Sequence, residues 1–556
     1  MSKDRGSLCL QVRDQAIEAK VLFTDPDSVD NDATNRRDVI GVLDLPLEVL
    51  REIIHQLHAA IRGPSRQYSR LRTSILGEYR LVCKAFNAAV EPIQFATLIF
   101  DFHPWQTENQ TSTARHLKLI AEGESPASYS TQSLQISCLD PYWKGPLGAL
   151  NGYTGNWNRD LNATDGSKGA DQVSQMVNKY LVKAIASLEI LRRVDWYIPK
   201  DNRYASSVID ALSNLQGLEE LRLTFSDGPF SEDVFQLRKI TRLRKLSVYL
   251  PRLNDHTDYM KFASVCNEVI LANPSLDRLT IVGPLDQLVS MSFHDFLGRF
   301  DEVNTLKLLH LRLQNIMLEL DAIILPQLSS LTSLDLRNSR RSLDAEAWDL
   351  FLSAGIRLTS LSIDIFTRPL LDYLSSFSGL RRLTIQDRHR IPACDDADYL
   401  FLTVIPLHKE SLKELYLFCT FPCDLSLDWL KGNPLAICPN LTHFGVSLPS
   451  DTIEVALEDL RVIISAPRKE RLHMLYICRS QLSIGFLCGA GVGRYAMQVQ
   501  QATQTIVSKW EIDDPQLYPS HICINGREVY HIVRDEVHAG KYRYKQHPNQ
   551  RKFVIL

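Results

Sequence analysis

Apolar residues along this chain recur in a short triplet, L-x-x-L-x-L, with other apolar side chains standing in at some positions. The triplets are Leu191-Val194-Trp196, Leu218-Leu221-Leu223, Leu243-Leu246-Val248, Leu276-Leu279-Ile281, Val303-Leu306-Leu308 and Leu331-Leu334-Leu336. They continue as Leu358-Leu361-Ile363, Leu380-Leu383-Ile385, Leu412-Leu415-Leu417, Leu441-Phe444-Val446 and Leu472-Leu475-Ile477. Successive triplets start about 28 residues apart, which is a repeat period and not a chance scatter of leucines. The last two positions of a triplet are two residues apart, so on a strand both side chains face one side. Between triplets there is room for a helix and two turns. The segment 345–355, for example, sets Ala345, Trp348, Leu350, Phe351 and Leu352 in a helical stripe. One such unit cannot bury its apolar face alone, whereas stacked units share a continuous core. The pattern therefore predicts an α/β solenoid over 181–480, with a parallel sheet on the concave face and helices outside.

The repeat is similar to leucine-rich repeats. The asparagine that usually follows the last leucine is mostly missing, although Asn338 lies close behind Leu336, so the units are expected to be irregular. Side-chain alternation places Glu220, Arg222, Lys245, Tyr249, Arg278, Lys307, Asp335, Arg337 and Asp364 on the concave face of the earlier units. In the later units it places Arg382, Glu414, Tyr416, Phe418, His443 and Tyr476 there. The mixed charges of the first set suit solvation. Tyr416, Phe418, His443 and Tyr476 group aromatic side chains where the core does not require them, and they are the candidate target-binding residues. The alternative is that segment 481–556 folds back and covers them.

Upstream of the repeats, residues 24–38 are polar and rich in turn formers and follow a short segment of no clear periodicity, so 1–40 is expected to be a mobile lead-in. Asp44 and Pro46 then open an amphipathic helix carrying Leu47, Leu50, Ile54 and Leu57, with Val49 and Ile53 beside them. A second helical pattern holds Leu81, Val82, Ala85, Phe86, Ala89 and Val90; Pro92 is expected to close it, and a strand is expected over 97–102. Segment 101–180 is expected to be an irregular connection, with a loop rich in Gly, Asn and Trp at 141–170. Residues 481–556 break the rhythm and are expected to be a C-terminal cap or extension.

The block 41–100 resembles the F-box family, through Leu45-Pro46-Leu47-Glu48-Val49-Leu50 with Ile53 and Ile54, then Leu81-Val82-Cys83-Lys84-Ala85-Phe86-Asn87, and Pro92 to Phe95. The stretch between Leu57 and Leu81 is longer than the family's usual spacing. The resemblance implies a three-helix motif that docks onto the Skp-type adaptor of a cullin-RING ubiquitin ligase, with the C-terminal region capturing a substrate. Carried over, Leu45, Pro46, Leu47, Val49, Leu50 and Ile53 line the adaptor interface, and Leu81, Val82 and Phe86 complete it. Ile54, Leu57, Ala85 and Ala89 are expected instead to hold the helices together. The rival reading is a repeat scaffold that uses the helical block only as a cap.

Composition excludes several other classes. The formal net charge of -3 favours neither a nucleic-acid surface nor a polyacidic tail. No apolar run is long enough for a membrane span, and the first twenty residues lack the pattern of a secretory signal. Eleven scattered cysteines read as reduced thiols, so a cytoplasmic or nuclear location is expected.

No catalytic centre, cofactor or metal site is expected either. Gly489 to Arg494 has the look of a phosphate loop, but it is one glycine out of register and reads better as a turn closing the solenoid. Cys419, Cys423 and Cys438 lack the second ligand pair that zinc requires and are expected to be buried thiols. His55 and His58 are expected on a solvated helix face. The basic run Lys541, Arg543, Lys545, Arg551 and Lys552 is expected to be a solvated edge or tail.

Overall fold

The computed structural model describes residues 45–61, 83–102, 107–142, 166–199, 202–226, 232–252, 255–284, 291–297, 306–337, 343, 345–386, 394–418, 437–448, 453–465, 470–479, 490–525, 528–535, 538 and 540–546. The chain divides into two units, Met1–Ile53 and Ile54–Leu556. In the first, the described residues are Leu45 to Ile53, where the helix Leu47–Ile61 begins immediately after Pro46. The second unit holds everything that follows.

Its centre is one sheet of sixteen strands whose spatial order is their sequence order. The strands are β1 (Thr97–Asp101), β2 (Ser133–Cys138), β3 (Arg193–Ile198), β4 (Glu220–Phe225), β5 (Lys245–Tyr249), β6 (Arg278–Val282), β7 (His310–Gln314) and β8 (Ser333–Arg337). They continue with β9 (Ser360–Ile363), β10 (Arg382–Ile385), β11 (Glu414–Leu417), β12 (His443–Leu448), β13 (Met474–Arg479), β14 (His521–Ile524), β15 (Glu528–Arg534) and β16 (Tyr542–Gln546). Neighbours from β1 to β14 are parallel, and β14–β15 and β15–β16 are antiparallel. Helices such as Gly166–Ala186, His256–Leu271 and Ile453–Ile464 carry the chain from one strand to the next. None of the helices among the described residues is long and apolar enough to cross a membrane.

Register explains why this pattern folds as a stack. The middle triplet residues line up as Leu221, Leu246, Leu279, Leu311, Leu334, Leu361, Leu383, Leu415, Phe444 and Leu475. Leu98, Leu134 and Val194 extend the row upstream and Ile522 extends it downstream. All of these except Leu98 are fully buried; they join the helices' apolar residues in one continuous core, against which Leu98 packs partly buried. Burying each leucine stabilises by about 1.5–3 kcal/mol. A slip of one residue along a strand would turn its leucines to the opposite face. The side chains on the other face of the sheet are mostly half-buried.

The structure moves several boundaries. The fifth unit's strand is β7, with Leu311 and Leu313 in the ladder, so its triplet is Leu308-Leu311-Leu313 and not Val303-Leu306-Leu308. Lys307 is thus not an open-face strand residue; His310 and Arg312 take that role. The expected irregular connection at 101–180 contains the helix Thr107–Ala121, β2 and the helix Gly166–Ala186, and the sheet begins at β1. Pro92 lies inside the helix Lys84–Gln94, two residues before its end, and does not close it. In the helix Ala345–Ser353, Ala347, Trp348 and Phe351 are buried and Leu352 is exposed.

The C-terminal segment extends the sheet. Ala490 to Arg494 form the start of the helix Ala490–Lys509 and not a turn, and this helix links the parallel strands β13 and β14. Glu511 beyond it is ion-paired with Lys541. The basic run contributes the edge strand β16, where Tyr544 is buried against Trp510 and its hydroxyl donates to Pro519 O at 2.7 Å. Exposed charges along such an edge discourage further strand pairing.

Buried polar side chains replace the expected asparagine ladder. At Leu243, Leu358 and Leu380 the N–H that opens the triplet is accepted by a side chain from the segment that follows, whereas at Leu191, Leu276, Leu331, Leu412 and Leu441 a backbone carbonyl accepts it. Leu243 N–H donates to Asn273 Oδ1 at 2.7 Å, while Asn273 Nδ2 donates to Ile240 O and Val269 O, both at 2.8 Å. Leu358 N–H donates to the Tyr373 hydroxyl at 3.4 Å, which itself donates to Ile356 O at 2.9 Å. Leu380 N–H reaches His408 Nδ1 at 3.3 Å, and His408 Nε2 donates to Leu374 O at 3.0 Å. Trp348, Tyr373, Phe377 and His408 form a run of ring contacts across three units. Left unpaired, each of these buried groups would cost roughly 1–3 kcal/mol.

His408 makes this joint sensitive to acid. The Leu380 contact requires a neutral Nδ1, and burial holds its pKa below the ordinary 6.5, opposed only in part by the Leu374 carbonyl. The folded state therefore binds fewer protons than the unfolded one, and stability is lost as pH falls through and below 6.5. Urea denaturation at pH 7.5 and 5.5 is expected to show a smaller loss for His408→Gln than for the native chain. Equal losses would remove His408 from the account.

Candidate functional site

The first candidate surface is the N-terminal helix. Pro46 precedes it, and the N–H groups of Val49 and Leu50 both donate to Pro46 O, at 3.0 and 3.1 Å. Residues three and four apart share a helical face, and the helix sorts its apolar side chains accordingly. Leu50 and Ile54 are buried, each 1% exposed, whereas Val49 and Ile53 are 42% and 41% exposed. Pro46 is also exposed, and Leu45 and Leu47 are half-exposed. Val49 and Ile53, with Pro46 one turn earlier, thus present an apolar stripe to solvent among Glu48, Arg51, Glu52 and His55. Leu50, which the resemblance placed in the adaptor interface, lies with Ile54 on the buried side of the helix in this chain.

Of the second block that carries the F-box resemblance, Leu81 and Val82 lie outside the described residues. Phe86 is half-buried in the helix Lys84–Gln94. Cys83 opens that helix, its thiol accepting the Phe86 N–H at 3.5 Å, while Ala89 and Val90 face the interior. The helix leads within two residues into β1. Thr131 Oγ1 donates to Phe95 O at 3.0 Å, and Gln132 N–H to Ala96 O at 3.0 Å, so this helix is tied to the first repeat.

The second candidate is the open sheet face toward its C-terminal end. Tyr416, Gly445 and Tyr476 stand opposite one another on β11, β12 and β13. The Tyr416 ring lies 5.5 Å from Tyr476 and 5.9 Å from Phe418, with the Arg382 guanidinium 5.6 Å away. Gly445 makes this arrangement possible, because the rings cover its strand; a Cβ there would stand 2.6 Å from Tyr416 Cδ1 and 2.8 Å from Phe418 Cζ. Tyr476 continues into a small apolar cluster of Met474, Cys523 and Val529. The structure thus brings together Tyr416, Phe418 and Tyr476, as the strand alternation implied. His443 stands one row away, between Glu414 and Met474, with its ring 6.5 Å from His473.

Burial divides the cluster. Tyr416 is 6% exposed, and Phe418, His443 and Tyr476 are half-buried. Burial pushes the Tyr416 and Tyr476 hydroxyls up, Tyr476 to about 12, with Glu414 adding to both shifts. His443 is held below its ordinary value mainly by burial, with Glu414 opposing and His473 and Arg382 assisting. The described part of 481–556 extends the sheet as β14–β16, and its Cys523 and Val529 pack with Tyr476. Sequence reasoning missed Gly445, whose only signal is a glycine inside a strand pattern.

Gly445→Ala is expected to cost about 1–3 kcal/mol, since the Tyr416 ring must leave its place. An unchanged urea midpoint would mean that the rings swing aside freely.

Among the remaining candidates, Cys438 is buried and His55 is exposed; Cys419 and Cys423 lie outside the described residues. No group of His, Cys, Asp and Glu among the described residues is placed to hold a metal ion. No family model and no curated protein matches this chain.

Proposed function

We propose that this chain is the substrate-recognition subunit of a cullin-type ubiquitin ligase, docking a Skp-type adaptor through its F-box-like N-terminal helices and a target protein through a leucine-rich-repeat solenoid. The observation that carries the reading is the pair Val49 and Ile53. Both were assigned to the adaptor interface by the F-box resemblance, and both are solvent-exposed on a helix whose other apolar face is covered. Exposed aliphatic side chains grouped on one helix turn are the usual material of a helix-mediated interface. The in-register ladder of leucines supports the repeat assignment.

The mechanism in this reading is tethering. The chain contributes no catalytic residue; it holds its target beside the ubiquitin-charged enzyme and raises the effective concentration of the acceptor lysine. The site of action is intracellular, where such ligases work.

One observation favours a second reading, that of a repeat scaffold without a ligase role. The helix Lys84–Gln94 runs into β1 and is hydrogen-bonded to the first repeat, as a plain solenoid cap would be. Adaptor binding separates the two. Co-expression with a Skp-type adaptor is expected to yield a complex for the ligase subunit and free chain for the scaffold.

A further inference from the structure

One register row runs across the open face from charge, through hydroxyls, to aromatic rings. Its members are Arg312, Asp335, Ser362, Thr384, Tyr416, Gly445 and Tyr476, each opposite the next on adjacent strands. At the charged end, Asp335 is shared between Arg337 at 2.7 Å and Arg312 at 3.4 Å. The rim before it repeats the arrangement, with Asp277 shared between Arg244 at 2.8 Å and Arg278 at 3.8 Å. With Lys245 added, the described residues of this face and rim on β5–β8 hold five cations against two carboxylates, Lys245 also pairing with Glu220 of β4 at 3.6 Å. That excess stands on a chain whose formal net charge is -3. His310 reports the same field: burial first, then Arg278 and Lys245, hold it below its ordinary pKa, against Asp277.

The middle of the row is unsatisfied. Ser362 and Thr384 are 6% and 1% exposed on this face, and among the described residues Ser362 Oγ and Thr384 Oγ1 have no hydrogen-bond partner. Buried hydroxyls normally find one. Side by side, with Asp335 and then Arg312 as the next members of the row, they are hydrogen-bond donors awaiting an acceptor. Beyond them the Tyr416, Phe418 and Tyr476 rings offer an apolar wall.

We propose that this row binds an extended acidic segment of the target protein laid across the strands, its carboxylates over Arg312, Ser362 and Thr384 and an apolar side chain against Tyr416 and Phe418. From β7 to β11 are four strand spacings, about 19 Å, so the acidic and apolar anchors lie about six extended residues apart. The inference rests on the reading that the open face captures the target, but it does not depend on adaptor docking.

The test is selection of a displayed library of random peptides on the purified full chain, followed by binding of the synthesised winner. Winners are expected to carry Asp or Glu with an aromatic or aliphatic residue about six positions away. Their binding should weaken as salt rises. Exchanging the winner's acidic residues for lysine, or making Arg278→Glu with Arg312→Gln in the chain, is expected to weaken binding at least about tenfold. Thr384→Val is expected to weaken binding several-fold without lowering the urea midpoint, because a hydroxyl that bonds only the ligand contributes nothing to the free fold. Winners without acidic enrichment, no winners at all, or undiminished binding to the charge-altered chain would overturn the proposal, as would tighter binding of a short RNA than of the acidic peptide. Val49→Asp should leave peptide binding unchanged, so a failure of adaptor docking is read separately.

Discussion

Leu334→Ala is expected to lower the unfolding free energy by about 2–5 kcal/mol, the range for deleting a buried leucine side chain from a core that closes only partly around the void. Leu334 is fully buried on β8, opposite Leu311 and Leu361. In a stack, each unit touches its neighbours, so the damage spreads through two interfaces and not through the whole core. Leu221→Ala and Leu415→Ala occupy equivalent positions, also buried, and should cost amounts in the same range. Chemical denaturation followed by circular dichroism provides the measurement. A cost under about 1 kcal/mol at all three sites would show that the ladder is not the stabilising element.

The second large effect concerns docking. Val49→Asp combined with Ile53→Asp is expected to abolish adaptor binding, since two apolar contacts worth on the order of 2 kcal/mol each would be replaced by desolvated carboxylates. Both side chains face solvent in the free chain, so the variant should keep its urea midpoint. Leu50→Asp is the wrong variant for this purpose: Leu50 is covered already, and a buried unpaired charge would damage folding whether or not a partner docks. Adaptor retained by the Val49 and Ile53 variant would exclude this face as the interface.

Much of the sheet was legible because a two-residue alternation, repeated at a steady period, fixes both strand position and facing side. The errors have local causes. In the stretch 306–314, Leu306, Leu308, Leu309, Leu311 and Leu313 satisfy more than one triplet, and only the neighbouring strands decide that Leu311 belongs opposite Leu279 and Leu334. The unit around β2 escaped notice because Thr131 holds the first triplet position, where its hydroxyl donates to Phe95 O. At β14 that position is Pro519, which interrupts the pattern in the same way.

The polar joints were not legible at all. Tyr373 and His408 are single residues in short helices and Asn273 lies just beyond one, and the N–H groups they accept lie 15 to 30 positions away. The aromatic row was half legible. Alternation placed Tyr416, Phe418 and Tyr476 on one face, but nothing local says that Gly445 leaves room for the rings or that Ser362 and Thr384 stay unpaired.

Titration of the purified full chain with a purified Skp-type adaptor, read by isothermal calorimetry and size-exclusion chromatography, tests the central claim most directly. A one-to-one complex that is lost with Val49→Asp and Ile53→Asp is the expected result. A native chain that elutes unchanged and releases no heat on titration would contradict the ligase reading and leave a repeat scaffold with a helical cap.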